Sequence, residues 1–202
     1  MLIRLVLVLG LALPGFSTAA TIMVYGDSLS SAYGLPREQG WVSLLEKRLH
    51  EKKLNYTVAN LSISGETTIG GKNRIEGALK THRPAIVILA LGANDGMRGQ
   101  SLEAMRGNIE TIIRACRRAG TKVLLVGMRM PPNYGPSYAE KFQNTFRELA
   151  ARERLALVPF LLEGFAENRD YFQPDGIHPT AHAQPLILET VWKELRPLLK
   201  GQ

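Results

Sequence analysis

The stretch Ala85-Ile86-Val87-Ile88-Leu89-Ala90-Leu91 is apolar without interruption, and Gly92-Ala93-Asn94-Asp95-Gly96 follows it directly. A short, unbroken apolar run is typical of a strand that is buried on both faces of a parallel sheet. Helices must then cover both faces of that sheet. The polar residues after the run are placed at the carboxyl end of a central strand. The stretch therefore predicts an α/β fold with polar chemistry at one edge of the sheet.

The rest of the chain repeats this alternation of strand and helix. We predict strands at residues 21–25, 56–63, 85–91, 122–126 and 155–160, and helices at 41–51, 74–82, 101–119, 138–154 and 185–199. Such alternation is typical of a parallel sheet with helices on both faces. Right-handed crossovers bring the carboxyl ends of the strands to one edge, where open α/β sheets carry their sites.

The first twenty residues differ from the remainder of the chain. Arg4 precedes an apolar run over 5–13, and small residues occupy 17–20. This pattern is typical of a secretory signal peptide, cleaved after Ala19 or Ala20. The alternative is a membrane anchor, but the run is shorter than the roughly 20 residues that a span needs. We predict a signal peptide at 1–20, one domain at 21–202, and a periplasmic or secreted protein.

Composition excludes several classes of protein. Of 202 residues, 45% are hydrophobic and 21% charged, as expected of a chain with a packed core. Removing residues 1–20 leaves a net charge of +6, one less than that of the whole chain. The basic residues are dispersed, which argues against nucleic-acid binding but would allow transient contact with an anionic membrane surface. The single cysteine, Cys116, is predicted to be buried, and no cluster has zinc spacing, so we expect neither metal nor cofactor.

Four polar segments follow the predicted strands. They contain Ser28 in Gly-Asp-Ser-Leu-Ser, Gly65 in Ser-Gly-Glu-Thr-Thr, Asn94 in Gly-Ala-Asn-Asp-Gly, and His178 in Asp-Gly-Ile-His-Pro. The surroundings of Ser28 do not match the G-x-S-x-G elbow of other serine hydrolases. Ser28 alone could be a nucleophile or a helix cap, so its partners must decide between these roles.

The chemistry of acyl transfer supplies those partners. A serine hydroxyl needs a base within hydrogen-bond reach, and the base needs a group that holds one tautomer. Asp175 and His178 are three residues apart in a turn bounded by glycine and proline, so both side chains can face one way. The other histidines lack such an acid. Oxyanion donors could come from the N–H groups of Ser28 and Gly65 and from the Asn94 side-chain amide.

These four segments, in this order, resemble the sequence blocks of the SGNH hydrolases, also called the GDSL family. Longer shared phrases, such as Pro131-Pro132-Asn133-Tyr134-Gly135, resemble its bacterial periplasmic branch of multifunctional thioesterases, lysophospholipases and arylesterases. The resemblance implies a flavodoxin-like, three-layer α/β/α fold with strand order 2-1-3-4-5. It also implies Ser28 as nucleophile, His178 as base and Asp175 as the group that orients it, with Ser28, Gly65 and Asn94 forming the oxyanion hole.

The implied function is hydrolysis of acyl thioesters, aryl esters and lysophospholipids. The alternative is a carbohydrate O-deacetylase, because the same blocks serve that activity. We expect a monomer whose partners are small acyl esters or lipids. The segment after the fourth strand suggests one wall of an acyl groove, formed by Met128, Met130, Pro131 and Tyr134; the alternative is a loop with buried apolar contacts.

Overall fold

The structure is a computed structural model and describes residues 19–199. Apart from Ala19 and Ala20, the predicted signal peptide lies outside these residues. Strands β1–β5 span Ala20–Gly26, Tyr56–Asn60, Ile86–Ala90, Lys122–Val126 and Ala156–Val158. Helices α1–α6 span Trp41–Glu51, Thr68–His82, Ala93–Met97, Leu102–Arg118, Pro136–Glu153 and Gln184–Leu195.

The five strands form one parallel sheet in the order β2-β1-β3-β4-β5. In the register between the central strands, Ile22 lies opposite Ile86, and Gly26 lies opposite Ala90. The parallel α/β fold and the strand order are therefore confirmed. Because β1 and β3 are neighbours, the segments that follow Gly26 and Ala90 come out side by side at the carboxyl edge.

Two apolar layers hold the helices to the sheet. On one face, Ile22, Val24 and Ile88 pack with α1 and α6, and on the other, Met23 and Leu89 pack with α2, α4 and α5. Successive strand residues point to opposite faces, so an unbroken apolar strand supplies both layers. Helix α4 shows the corresponding helical pattern, since Met105, Ile109, Ile112, Ile113 and Cys116 all face the sheet.

Several details differ from the sequence prediction. Strand β5 spans only Ala156–Val158, and helix α6 ends at Leu195 rather than at residue 199. Helix α2 begins at Thr68 rather than at residue 74, because its first turns contain Gly70 and Gly71, which weaken the helical signal. A Cβ on Gly71 would lie 2.4 Å from Leu91 Cδ1, so that glycine is needed for close packing. Strand β2 ends at Asn60 rather than at residue 63, and just beyond that end the Asn60 side chain accepts the N–H of Ser62. The short helix α3 was not predicted.

Candidate active site

All four predicted polar segments meet at the carboxyl edge of the sheet. Ser28 contacts His178, while the side-chain amide of Asn94 reaches both Asp27 and the backbone carbonyl of Glu66. Because Glu66 follows Gly65 directly, the second segment is tied to the others through this bond. Residues separated by 150 positions in the chain are thereby brought within hydrogen-bond distance.

The Ser28 turn is built on the end of β1. The Asp27 carbonyl accepts the N–H groups of Ser30 and Ser31, and the Asp27 carboxylate accepts that of Leu29 at 3.1 Å. A Cβ on Gly26 would lie 2.9 Å from Ser30 Oγ, so the glycine lets the turn fold tightly against the strand. This tight turn presents Ser28 at the surface of the edge. Asp27 acts here as a turn-stabilising acceptor.

Asp175 and His178 form a second, self-contained turn. One carboxylate oxygen of Asp175 accepts the backbone N–H groups of Ile177 at 2.9 Å and His178 at 3.0 Å. The other lies 2.7 Å from His178 Nδ1. These bonds, the backbone bond from His178 foremost, lower the pKa of Asp175 to about 2. Asp175 is therefore a carboxylate at all ordinary pH values, and it selects the His178 tautomer that carries its proton on Nδ1.

A hydrogen bond between the two turns completes a relay of three side chains, from Ser28 through His178 to Asp175. His178 Nε2 lies 3.0 Å from Ser28 Oγ. With Nδ1 protonated, Nε2 is free to accept the hydroxyl proton of Ser28. The geometry is that of a nucleophile, a base and an acid that orients the base.

The segments around Ser28 carry three candidate oxyanion donors. Within residues 19–199, the backbone N–H groups of Ser28 and Gly65 donate to no other residue. Gly65 has a φ of +77°, a conformation that favours glycine, and its carbonyl accepts Nη2 of Arg98 at 3.1 Å. The Asn94 amide donates to the Glu66 carbonyl at 3.0 Å and, more weakly, to the Asp27 carboxylate at 3.4 Å.

Asp27, the residue before Ser28, is a buried acid with 2% of its surface exposed. Burial raises the pKa of its carboxyl to about 6, although the Leu29 N–H and the nearby His178 act in the opposite direction. Its surroundings thus favour the neutral acid more than water does.

The sequence did not identify the contacts that support this edge. Asp95 is buried and accepts the N–H and hydroxyl of Thr68, which fixes the start of α2. A second support joins Arg74 to Glu66 at 2.8 Å, with the guanidinium 4.0 Å from the centroid of the Tyr25 ring. The Asp95–Thr68 and Arg74–Tyr25 contacts join residues far apart in sequence, so no local pattern signals them. Glu66 and Arg74 are only eight positions apart, on either side of the start of α2.

The segment after β4 contributes differently from the prediction. Met130 is buried beside Gly96 and Phe142, Met128 is half-buried, and Pro131 and Tyr134 are exposed. A cavity of about 370 Å³ near this segment is lined by none of these four side chains. Arg129, Phe160 and residues 163–168 contribute its walls instead. The acyl groove therefore stays a prediction, and its exposed members are Pro131 and Tyr134.

The family model for the GDSL-like lipase/acylhydrolase family matches residues 24–184, which include every segment of the site. The chain belongs to this family. Among its GDSL-family relatives, esterase TesA of Pseudomonas aeruginosa is 47% identical over 91% of each chain. The arylesterase of Vibrio mimicus is 40% identical, over 96% of this chain and 98% of its own length. Thioesterase 1/protease 1/lysophospholipase L1 of Escherichia coli K12 is 36% identical, over 91% of this chain and 86% of its own.

Solved structures of GDSL-family enzymes have the same fold. The crystal structure of TesA superimposes with a TM-score of 0.87 and covers 89% of this chain and 99% of its own. That of the psychrotrophic esterase EstA from Pseudoalteromonas sp., inhibited by monoethylphosphonate, gives 0.84 at 35% identity, covering 88% and 97%. The resemblance inferred from the four sequence blocks is therefore confirmed, and the chain is an ester hydrolase.

Proposed function

We propose that this hydrolase is an exported serine esterase that cleaves acyl thioesters, aryl esters and lysophospholipids through Ser28, His178 and Asp175. The observation that carries the proposal is the continuous relay from Ser28 Oγ through the imidazole to Asp175, at 3.0 and 2.7 Å. The substrate classes come from the relatives, which are named as an esterase, an arylesterase, and a thioesterase with lysophospholipase activity.

The first half of the reaction forms an acyl-enzyme. Ser28 Oγ attacks the carbonyl carbon while His178 Nε2 takes the hydroxyl proton, giving a tetrahedral intermediate and an imidazolium. Asp175 stabilises that cation through Nδ1. The C–O or C–S bond then breaks, and the imidazolium gives its proton to the leaving oxygen or sulfur. In the second half, water replaces Ser28 as the attacking hydroxyl, and the same proton transfers release the acid.

The negative oxygen of the intermediate is received by three donors. The N–H groups of Ser28 and Gly65 lack an acceptor among residues 19–199, so they can bind it without breaking another bond. Asn94 keeps its 3.0 Å bond to Glu66 and exchanges the longer contact with Asp27 for the oxyanion. Donors that are already aimed at the site stabilise the charge that develops in the transition state.

The proposal also covers export, oligomeric state and contact with membranes. Residues 1–20 act as a signal peptide, and the protein is periplasmic or secreted; the described residues contain no helix that could span a membrane. The protein works as a monomer on small-molecule esters or lipids, without nucleic acid. Its positive charge would permit transient contact with an anionic membrane surface.

The experiment compares Ser28→Ala with Ser31→Ala on an acyl thioester, an aryl ester and a lysophospholipid. Ser31 is the matched control because it lies in the same turn, where its hydroxyl bonds Ser64 Oγ at 2.9 Å and the Ser28 carbonyl at 3.4 Å but does not contact the imidazole. We expect Ser28→Ala to lose at least about a thousandfold in kcat, and Ser31→Ala to stay near the parent. Persistent hydrolysis by pure Ser28→Ala would contradict the proposed nucleophile.

A chain-length series from acetyl to palmitoyl tests the substrate class. The proposal predicts turnover that persists on chains of eight carbons and longer. Activity confined to acetyl esters, together with release of acetate from acetylated carbohydrates, would favour the O-deacetylase alternative.

A further inference from the structure

The loop between β1 and α1 places an aromatic ring on the imidazole of the relay. The ring centroids of Tyr33 and His178 are 4.3 Å apart, and their planes are inclined by 34°. Tyr33 nevertheless keeps 50% of its surface exposed, so burial in the core does not explain its position. Contacts outside the core must therefore hold this exposed ring against the imidazole.

The backbone on both sides of Tyr33 adopts an uncommon conformation. Ala32 has a φ of +61° and Gly34 one of +73°, in the left-handed region that non-glycine residues seldom enter. Strain at a non-glycine residue beside a functional site persists only where surrounding contacts impose it. The loop is thus bent at both ends in the way that brings the ring over His178.

Gln173 makes the contacts that hold the loop in this conformation. Its side-chain amide donates to the Tyr33 carbonyl at 2.9 Å and to the Pro179 carbonyl at 3.1 Å, and its backbone N–H donates to the His178 carbonyl at 2.7 Å. A Cβ on Gly34 would lie 2.2 Å from Gln173 Oε1, so only glycine permits this approach. One residue therefore ties the loop that carries Tyr33 to the turn that carries His178.

We propose that Tyr33 is a positioning residue that holds the His178 ring and stabilises its protonated form. The inference rests on the proposed function, in which His178 becomes an imidazolium during each proton transfer. The face of an aromatic ring attracts a cation within about 6 Å. The other groups facing His178 are Asp175 on its own turn and Ser28 and Asp27 at the end of β1. Substituting Tyr33 leaves these groups unchanged.

Tyr33→Leu isolates this effect because leucine keeps an apolar cover but lacks the aromatic face. Without the ring, the imidazolium is less stable both in the free enzyme and in the transition state. We therefore expect kcat/KM on the alkaline plateau to fall about threefold, and the midpoint of the acidic limb to move down by about half a pH unit. Because the protonated free enzyme and the transition state lose the same stabilisation, the kcat/KM values of the parent and the variant should become equal at pH values below the acidic midpoint.

Tyr33→Phe is the conservative variant and keeps the ring. It should retain the plateau and the acidic midpoint of the parent. Leu186→Ala is the matched surface control, because Leu186 is an exposed apolar side chain on α6, outside the site. It should change neither quantity.

The test is the pH profile of kcat/KM from pH 4.5 to 9 for the parent and these three variants, with an aryl and an alkyl ester of the same acid. Convergence at low pH with both esters is the expected result. A loss by Tyr33→Leu that is uniform at all pH values, or confined to the aryl ester, would overturn the inference in favour of a structural or leaving-group role. Ser28→Ala, measured alongside, separates the two proposals, since residual activity there would refute the relay itself.

Discussion

Asn94 connects three segments of the site through one side chain. Its amide donates to the Glu66 carbonyl and contacts the Asp27 carboxylate, and we propose that it also binds the oxyanion. We expect Asn94→Ala to lower kcat by about a hundred- to a thousandfold with a much smaller change in KM, because the lost donor acts on charge that develops in the transition state. Steady-state kinetics with a soluble aryl ester measure both.

Asn168→Ala is the control for this substitution. The Asn168 side chain accepts the N–H of Asp170 in an exposed turn, so it is also a hydrogen-bonding asparagine. It should leave kcat unchanged. An Asn94→Ala variant with raised KM and the parent kcat would mean that Asn94 binds the ground state instead.

Asp27 gives the stability of the protein a specific pH dependence. Its pKa rises from 3.8 to about 6 on folding, so the folded state binds the proton more tightly. The favourable contribution is fully present below about pH 4 and is lost as the pH rises through 6. Asp27→Asn removes this titration. The unfolding free energy of the variant, relative to the parent, should increase by up to about 3 kcal/mol between pH 4 and 7.

Urea unfolding at pH 4, 5.5 and 7 measures this difference. Asp170→Asn is the control, because Asp170 is exposed. A difference between Asp27→Asn and the parent that stays constant over this range would show that Asp27 titrates alike in both states.

At the residue scale, the sequence predicted those site residues whose partners lie close to them along the chain. The Asp175–His178 turn is recognisable because both partners lie within four positions. Tyr33 escaped prediction because its place depends on the left-handed backbone at Ala32 and on Gln173, 140 residues away. Neither feature is visible in a short stretch of sequence.

We propose that the segment between β4 and α5 determines the acyl-chain preference. Tyr134 is 38% exposed there, whereas Met130 is buried beneath the segment. Tyr134→Ala should lower kcat/KM about five- to tenfold for chains of eight carbons or more and leave acetyl esters unaffected, because only longer chains bury area against the ring.

Tyr134→Phe keeps the ring and should preserve the chain-length profile. Turnover of an ester series from acetyl to palmitoyl makes the comparison. An equal loss at every length would place Tyr134 outside the acyl groove.

Elements were predicted where one periodicity dominates the sequence. Helix α4 has a continuous apolar stripe and a Ser101 cap whose hydroxyl accepts the N–H of Ala104, so its bounds were nearly correct. Helix α2 was predicted too short because Gly70 and Gly71 weaken the helical signal of its first turns, and Gly71 serves packing against Leu91 rather than helix stability. The tertiary contact determined that residue, and a single sequence does not display it.

The whole molecule contains one cysteine, and the fold makes its thiol unreactive. Cys116 is fully buried, and burial raises the pKa of its thiol to about 12. A thiol reagent should find no reactive group in the native protein and one equivalent after denaturation. Activity should survive prolonged exposure to iodoacetamide. Inactivation of the native enzyme by stoichiometric alkylation would contradict the fold around α4.

The order of the chain explains how the molecule assembles its site. The nucleophile follows the first strand, and the acid and base precede the last helix, so the relay forms only when β1 and the segment before α6 reach the same edge. The alternation of strands and helices was enough to predict that edge. The distances within it, and the separate burial of Asp27, required the structure.

Covalent labelling tests the central claim that Ser28 is the activated nucleophile. The native protein is treated with a fluorophosphonate, digested, and mapped by mass spectrometry, with Ser28→Ala and Ser31→Ala in parallel. We predict one equivalent of label on Ser28 in the parent and in Ser31→Ala, none in Ser28→Ala, and loss of activity in proportion to labelling. A label on any other residue, or full activity in labelled protein, would contradict the account.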